Sequence, residues 1–365
     1  MRPRHGRRLR GGAALKPVLF VTNHAPAFRV GAFAKLHERE DVVFALIGGD
    51  VRHGGGAGAE RNLPFPVLRP SQREVARLAR GHRAVIAGLS GRVAPLAAYA
   101  GARAAGVPFV LWASLWAHPR TPAHAASYLP VRHLYRHADA IVTYGPHVSA
   151  YVRSKGALQT VVEAAQSVDN EYWNGQSAPI RRAAFQAAFV GRIAGEKGHQ
   201  VLIQAWSSTG LSALSAALVL VGGGPIRARA VATGAVLPEG QRPPAEVRNF
   251  YAGSDVVVVP SVPTRDFREP WGLVVNEAFN QGVPVIASDA VGAVAGGLVR
   301  HERTGLVVPA GDAGALAAAL RRMHDEPELR ARLGAAGREA VGAYTHDAWA
   351  AGVSNALAAV GASRC

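Results

Sequence analysis

Short, nearly all-apolar runs, each closed by glycine or a polar turn and followed by a helix-like stretch, recur along this chain in two blocks. In the first block Lys16 to Thr22 (KPVLFVT) reads as a strand, residues 23–26 as a turn, Val30 to Glu38 as a helix, and Val42 to Ile47 as a second strand closed by Gly48-Gly49. Strand, turn, helix and strand in that order give a parallel sheet with crossover helices. The block continues with an extended segment at Val67–Arg69, a short helix at Arg73–Arg80 and a short strand at Ala84–Ala87. An alanine-rich helix at Pro95–Ala105, a strand at Pro108–Trp112, a helix at Tyr128–His137 and a strand at Ala140–Thr143 complete it.

The second block restarts the pattern. Strands are expected at Ala187–Val190, Leu218–Val221, Asp255–Pro260, Pro284–Ser288 and Gly305–Val308. The unbroken VVVV of the third suits a strand covered on both faces. Helices are expected at His199–Trp206, Leu273–Asn280, Ala313–His324, Pro327–Ala335 and through a terminal region, Thr345–Val360. A chain of 365 residues exceeds what one hydrophobic core usually organises, so two domains follow. The polar, turn-rich stretch from Gln166 to Arg181 has no repeated apolar pattern and marks the division. The expected units are residues 13–168 and 169–365, the last helix crossing back to the first.

Composition narrows the partners. Hydrophobic residues make up 49 % of the chain and charged residues 18 %, while the formal net charge is +16. Such a charge favours anionic partners without choosing among nucleic acid, phospholipid and phosphorylated substrate. Part of it lies in a start rich in arginine (Arg2, Arg4, Arg7, Arg8, Arg10), which reads as a basic extension without the apolar segment of a signal peptide. The single cysteine, Cys365, provides neither an intrachain disulfide nor a cysteine-based metal site. No apolar run of spanning length is present, so a cytoplasmic protein is expected, free or held peripherally at the inner face of a membrane. Zinc-finger spacing and basic-zipper heptads are absent, which disfavours a nucleic-acid partner or a basic scaffold.

Three turns after strands carry the chemistry. Arg268-Glu269-Pro270-Trp271-Gly272-Leu273 leads from a buried strand into a helix that contains Glu277. Glycine permits close backbone approach, and open amides at a helix start can hold phosphate. A carboxylate one turn inside that helix can accept hydrogen bonds from a ribose diol. On residue chemistry alone Glu269 is equally a solvated loop charge and Glu277 a helix-start charge. The second turn, Val190 to Gly198 (VGRIAGEKG), brings Arg192 and Lys197, able to neutralise a departing diphosphate. The third is Gly222-Gly223-Gly224-Pro225, where close backbone packing is the plainer reading and donor contact the second. Neither the dinucleotide GxGxxG nor the P-loop pattern is met.

These residues resemble glycosyltransferase family 4, in the two-domain class called GT-B. The resemblance rests on Glu269 and Glu277 with seven residues between them, on VGR…EKG and on GGGP. It rests also on the aromatic-Ala-x-x-Asp…Pro-Ser run from Tyr251 to Ser261, GxPVIAS at Gly282–Ser288 and TGLVVP at Thr304–Pro309. It is strong from Ala187 to His346 and looser before. It implies two Rossmann-like α/β domains facing across a cleft, and retaining transfer of a sugar from a UDP- or GDP-sugar. The acceptor would be a glycan, a lipid-linked molecule or a small molecule, with no tightly bound cofactor and no essential metal. Under it, Arg192 and Lys197 bind and stabilise the donor phosphates, and Glu277 holds the ribose. Glu269 binds the transferred sugar, and the backbone at Gly223, Gly272 and Leu273 cradles the donor. The resemblance also places an active-site histidine in the loop Leu111–Arg120, assigned to His118 with His124 as the alternative. Trp112 and Trp116 of that loop suit sugar stacking or core packing equally. Two departures stand out. The first turn is NHAPAFRVG in place of a glycine-rich one, and the run after Ala290 lacks the family's Pro-Glu pair. A GT-B enzyme acting on the donor alone, as epimerase or hydrolase, is the main alternative.

Overall fold

The structure is a computed structural model that describes residues 15–48, 62–89, 93–224 and 235–364. The arginine-rich start, Pro225 and Cys365 lie outside the described residues. One sheet is built from β1 (Val18–Thr22), β2 (Val42–Leu46), β3 (Val67–Leu68), β4 (Ala84–Gly88), β5 (Phe109–Ala113), β6 (Ala140–Thr143) and β7 (Thr160–Glu163). Its spatial order is β3-β2-β1-β4-β5-β6-β7. The other contains β8 (Phe185–Val190), β9 (Ala216–Val221), β10 (Val236–Gly240), β11 (Val256–Val259), β12 (Val285–Ser288) and β13 (Gly305–Val308), in the order β10-β9-β8-β11-β12-β13. All the strand pairings are parallel. In each sheet the order reverses beside the first strand, between β1 and β4 and between β8 and β11. Such switch points open a crevice beyond the carboxyl ends of the strands. Two Rossmann-like domains facing across a cleft result, which is the GT-B architecture.

Parallel strands need crossovers, supplied in the first half by α1 (Ala27–Glu40), α2 (Val75–Leu78), α3 (Ala94–Ala105), α4 (Pro122–His137) and α5 (Pro146–Ser154). After α6 (Asn170–Asn174), the second half adds α7 (His199–Thr209), α8 (Pro244–Ala252), α9 (Val274–Asn280), α10 (Gly292–Ala295), α11 (Ala313–Asp325), α12 (Pro327–Val341) and α13 (His346–Ala359). The sequence reading did not anticipate α5, β7, α6, β10, α8 or α10. Both missed strands are sheet edges, and β7 is exposed at each end, so neither shows the all-apolar run of a central strand. Helix α4 starts six residues before the expected Tyr128 because Thr121 caps it, accepting from the His124 N–H, with Pro122 in its first turn.

The first sheet ends at Glu163 and the second begins at Phe185. The stretch between them is more than a linker, since α6 buries Trp173 in the second core beside Tyr251. The last helix crosses back. Trp349 of α13 is fully buried in the first domain's core, with its ring 5.8 Å from Phe33 and 5.9 Å from Trp112. An aromatic side chain of that size buries roughly 150–250 Å². The chain therefore passes between the domains twice, which ties the two walls of the cleft together. No described helix is long and apolar enough to cross a membrane.

Candidate active site

The cleft holds a cavity of about 930 Å³ into which the strand-end loops of the second sheet project. Val190, Gly191, Arg192 and Lys197 follow β8, Gly222 to Gly224 follow β9, and Val259 to Ser261 end β11. Glu269 to Val274 lead into α9 and complete that wall. The loops approach one another by backbone. Gly222 has φ +146°, and a Cβ there would stand 1.9 Å from the Gly191 carbonyl oxygen. Gly198 has φ +70°, and its Cβ would meet the Pro260 carbonyl oxygen at 1.8 Å. Only glycine permits either contact. Ile193 N–H donates to the Gly223 carbonyl at 2.9 Å, fastening the glycine turn to the basic one.

Lys197 forms an ion pair with Glu269, whose carboxylate also accepts from Ser261 Oγ at 3.1 Å. Glu269 is buried, because its backbone bridges to Val291 and its carbonyl accepts from the Gly292 N–H at 3.1 Å. The solvated-loop alternative for this residue is thereby excluded. Arg192 is more exposed and pairs with Glu196 one turn on. Each cation thus already has a carboxylate partner, and an entering diphosphate competes for both. Gly272 and Leu273 line the cavity at the start of α9, and Gly272 takes φ +93° against Val291.

Glu277 is half-buried and is not among the residues lining the cavity. Desolvation pushes its carboxyl up to about 7, opposed by a hydrogen bond donated from the buried Tyr251 hydroxyl at 2.7 Å. It stands one turn behind the loop, beside the cavity.

The opposite wall is built from side chains. Arg29 of α1 is 8 % exposed, lies 4.8 Å from the Trp112 ring centre and donates to Tyr144 Oη at 2.9 Å. Phe28, Arg29, Tyr144 and Gln166 all line the cavity. Trp116 spans the cleft: its Nε1–H donates to the Glu269 carbonyl at 3.1 Å, and Arg268 stacks on its ring at 3.6 Å. His147 bonds through Nε2 to the Pro270 carbonyl at 3.2 Å, and burial lowers its pKa. His118 is placed differently from the other sequence-predicted residues. It does not line the cavity, and its Nε2 is engaged by the His124 carbonyl at 2.7 Å. His124 also packs within this pair, with its Nδ1 2.7 Å from Thr121 Oγ1.

The structure therefore assembles Arg192, Lys197, Gly223, Glu269, Gly272 and Leu273 on one wall, sets Glu277 beside them and leaves His118 apart. The sequence reading missed Tyr144, Gln166 and His147. Tyr144 lies in the turn just after β6, where the strand-end rule places ligand contacts, and His147 in the first turn of α5 that follows. Gln166 was hidden in the polar stretch read as a boundary.

A second cavity of about 790 Å³ lies at another part of the domain junction, lined among others by Gly145, Glu163, Gly296, Arg300 and Tyr344. It contains none of the basic or glycine turns after β8 and β9. Among the described residues no group of three or more His, Cys, Asp or Glu is arranged to hold a metal ion.

Comparison with known proteins agrees with this geometry. Residues 184–326, the segment that carries the cavity's basic and glutamate loops, match the family described as glycosyl transferases group 1. The match spans less than half of the chain, and its segment coincides with the domain whose loops line the cavity. It is 32 % identical over 238 residues to the lipopolysaccharide core biosynthesis glycosyltransferase LpsD of Rhizobium meliloti, covering 60 % of this chain and 65 % of that protein. It is 33 % identical over 239 residues to a GDP-mannose-dependent alpha-mannosyltransferase of Mycobacterium tuberculosis, covering 58 % and 56 %. The chain thus spans less than two thirds of the length of these two relatives. Among solved structures it is similar to Anabaena HepE in complex with UDP and glucose, with TM-score 0.72, 16 % identity and coverage of 94 % of this chain and 99 % of that one. It is also similar to sucrose-phosphate synthase from Thermosynechococcus elongatus, with TM-score 0.72, 20 % identity and coverage of 93 % and 98 %.

Proposed function

We propose that this protein is a retaining glycosyltransferase of family 4 type that moves a sugar from a UDP- or GDP-sugar to a glycan, lipid-linked or small-molecule acceptor. The observation that carries the reading is the single wall on which Arg192, Lys197, the Gly222–Gly224 turn and the Gly272-Leu273 loop converge. Two cations and close-approach backbone at the carboxyl ends of parallel strands suit a diphosphate. The names of the relatives support a nucleotide-sugar donor. One of them is GDP-mannose-dependent, and HepE was solved with UDP-glucose.

In the reaction the bond between the anomeric carbon and the diphosphate oxygen breaks, and the acceptor oxygen bonds to that carbon. The acceptor's proton passes to the departing diphosphate, the strongest base the step creates. Negative charge grows on the leaving group, and Arg192 and Lys197 oppose it. Glu269 reaches the transferred sugar from the floor of the cavity while orienting Lys197. Glu277, beside the loop, receives the ribose hydroxyls. A reaction on the donor alone is distinguished by omitting the acceptor.

Mass-spectrometric screening of the purified protein against UDP- and GDP-sugars, with and without acceptor pools, tests the proposal. Acceptor-dependent loss of one donor is the expected result. Absence of nucleotide-sugar turnover or binding across the panel refutes it. A peripheral place on the inner face of a membrane belongs to the same proposal. It is supported by the outward face of α4, where Leu129 is 68 % exposed beside exposed Arg132 and Arg136. Salt-sensitive pelleting with anionic vesicles is its measurement.

A further inference from the structure

The N-terminal wall contains a charge that no described carboxylate neutralises. Arg29 is nine-tenths buried, and among the described residues it has no carboxylate within ion-pair distance. Its side-chain hydrogen bond goes to a neutral group, Tyr144 Oη, and its remaining support is the face of aromatic rings. A buried guanidinium has five donors and strongly favours an anionic acceptor. Gln166, on the same cavity, is fully buried, and neither its amide nitrogen nor its amide oxygen has a hydrogen-bond partner. Buried amides are ordinarily satisfied, so an unpartnered one lining a cavity marks a place for a polar ligand. The opposing cations contrast with this, since Lys197 and Arg192 each hold a carboxylate.

We infer that Arg29, with Tyr144 and Gln166, forms a second anion subsite in the cleft, which holds a phosphate or carboxylate group of the acceptor. The assignment rests on the glycosyltransferase reading for the word acceptor, but the anion site itself stands on the geometry. Arg29 lies on the wall facing the donor loops, so an acceptor anchored there by its anionic group presents a hydroxyl toward the donor. Arg29 fixes the charge, Tyr144 holds the guanidinium in its plane, and Gln166 supplies a donor and an acceptor for groups flanking the anion. The enzyme then selects acceptors already phosphorylated or carboxylated, and the reaction that supplies its acceptor is of that class.

The test uses the full chain and inorganic phosphate as probe. Nucleotide binding is measured first, with UDP and GDP, so that failure of the donor reading is seen separately. Phosphate is then titrated into protein saturated with whichever nucleotide binds, and into the free protein if neither does. Calorimetry is the main readout, and tryptophan fluorescence reports on Trp112 beneath Arg29. Saturable binding in the presence of nucleotide is expected. Arg29→Gln should weaken it at least about tenfold, as for loss of a charge-assisted contact. Gln166→Leu should weaken it about threefold, as for loss of one ordinary hydrogen bond. An Arg192→Ala/Lys197→Ala double variant should keep it. Phosphate binding that disappears once nucleotide is bound assigns the anion to the donor's diphosphate and overturns the inference. So does binding unchanged in Arg29→Gln, or none in the wild-type protein. Should Arg29→Gln fail to fold, Arg29→Lys decides. It keeps the charge but loses the planar fork, so a several-fold weaker affinity supports the subsite and an unchanged one rejects it.

Discussion

The two walls of the cleft are made of different material. The C-terminal wall is a set of short turns after strands, locked together by backbone where Gly198 meets Pro260 and Gly222 meets Gly191. The N-terminal wall is a set of large side chains, Arg29, Trp112, Trp116, Tyr144 and His147, collected from α1, β5, the turns after β5 and β6, and the start of α5. Backbone turns give a rigid cradle for a ligand part that does not vary, such as a diphosphate. Side chains give a surface whose chemistry changes with each substitution, which suits a variable acceptor. The contrast extends to charge, because Arg192 and Lys197 of the first wall are paired with carboxylates and, among the described residues, Arg29 of the second is not.

The widest separation between the walls is expected in turnover. Lys197→Ala leaves the buried Glu269 carboxylate without its ion-pair partner and, on the proposed donor site, takes a cation from the diphosphate, so kcat/KM should fall about 100–1000-fold. His118→Ala removes a residue held by a backbone carbonyl away from the cavity, and a loss within about threefold is expected. Steady-state assays on one donor compare them directly. Equal losses would move essential chemistry onto the N-terminal wall.

Stability should show the backbone character of the first wall. Gly222→Ala must relieve a 1.9 Å approach to a carbonyl and a φ of +146°, and about 2–4 kcal/mol is the expected cost. Urea denaturation measures it. A midpoint like that of the wild type would mean the turn is slack and the cradle not rigid.

The pH dependence of nucleotide binding tests Glu277. Its carboxyl is raised to about 7 from an ordinary 4.5, so the folded state binds a proton the unfolded chain releases. Its contribution to stability is therefore present in full below pH 4.5 and is lost as pH rises through about 7. On the proposed ribose role binding runs the other way, because hydroxyls would donate to the ionised carboxylate. UDP or GDP affinity should rise from pH 6 toward pH 8 by no more than about tenfold per pH unit, and Glu277→Gln should flatten the profile. Calorimetry at several pH values decides. A slope that persists in the Gln variant assigns the titration to another group.

The smallest effect concerns the bridge between the walls. Trp116→Phe deletes the hydrogen bond to the Glu269 carbonyl and keeps the stack with Arg268, costing about 0.5–1.5 kcal/mol. Calorimetric melting should show a slightly lower Tm with one transition. Splitting into two transitions would show that this contact alone couples the domains.

The C-terminal wall was legible in the sequence because each of its parts is local. A glycine after an apolar run announces the turn that holds Arg192 and Lys197, and Glu269 lies in the loop between a buried strand and the helix that follows Gly272. The N-terminal wall was not legible, since Arg29 and Tyr144 are 115 positions apart and nothing near either one points to the other. Gln166 looked like part of a linker because polarity is what linkers and sites share. His118 was chosen over His124 from its loop and the resemblance, whereas the structure sets His147 against Pro270 and engages His118 with the His124 carbonyl at the start of α4.

By itself the sequence determined the alternation of strand and helix, the parallel sheets and the glycine turns. Hydrophobic period and backbone freedom act over a few residues and can be read there. Tertiary structure alone decided that Lys197 pairs with Glu269 across 72 positions, that Trp349 completes the first core, and that Arg29 lines a cavity without a carboxylate partner of its own among the described residues. Those outcomes depend on which surfaces the two sheets bring together and on how much water that packing removes. Both are properties of the whole folded chain and of no segment in it.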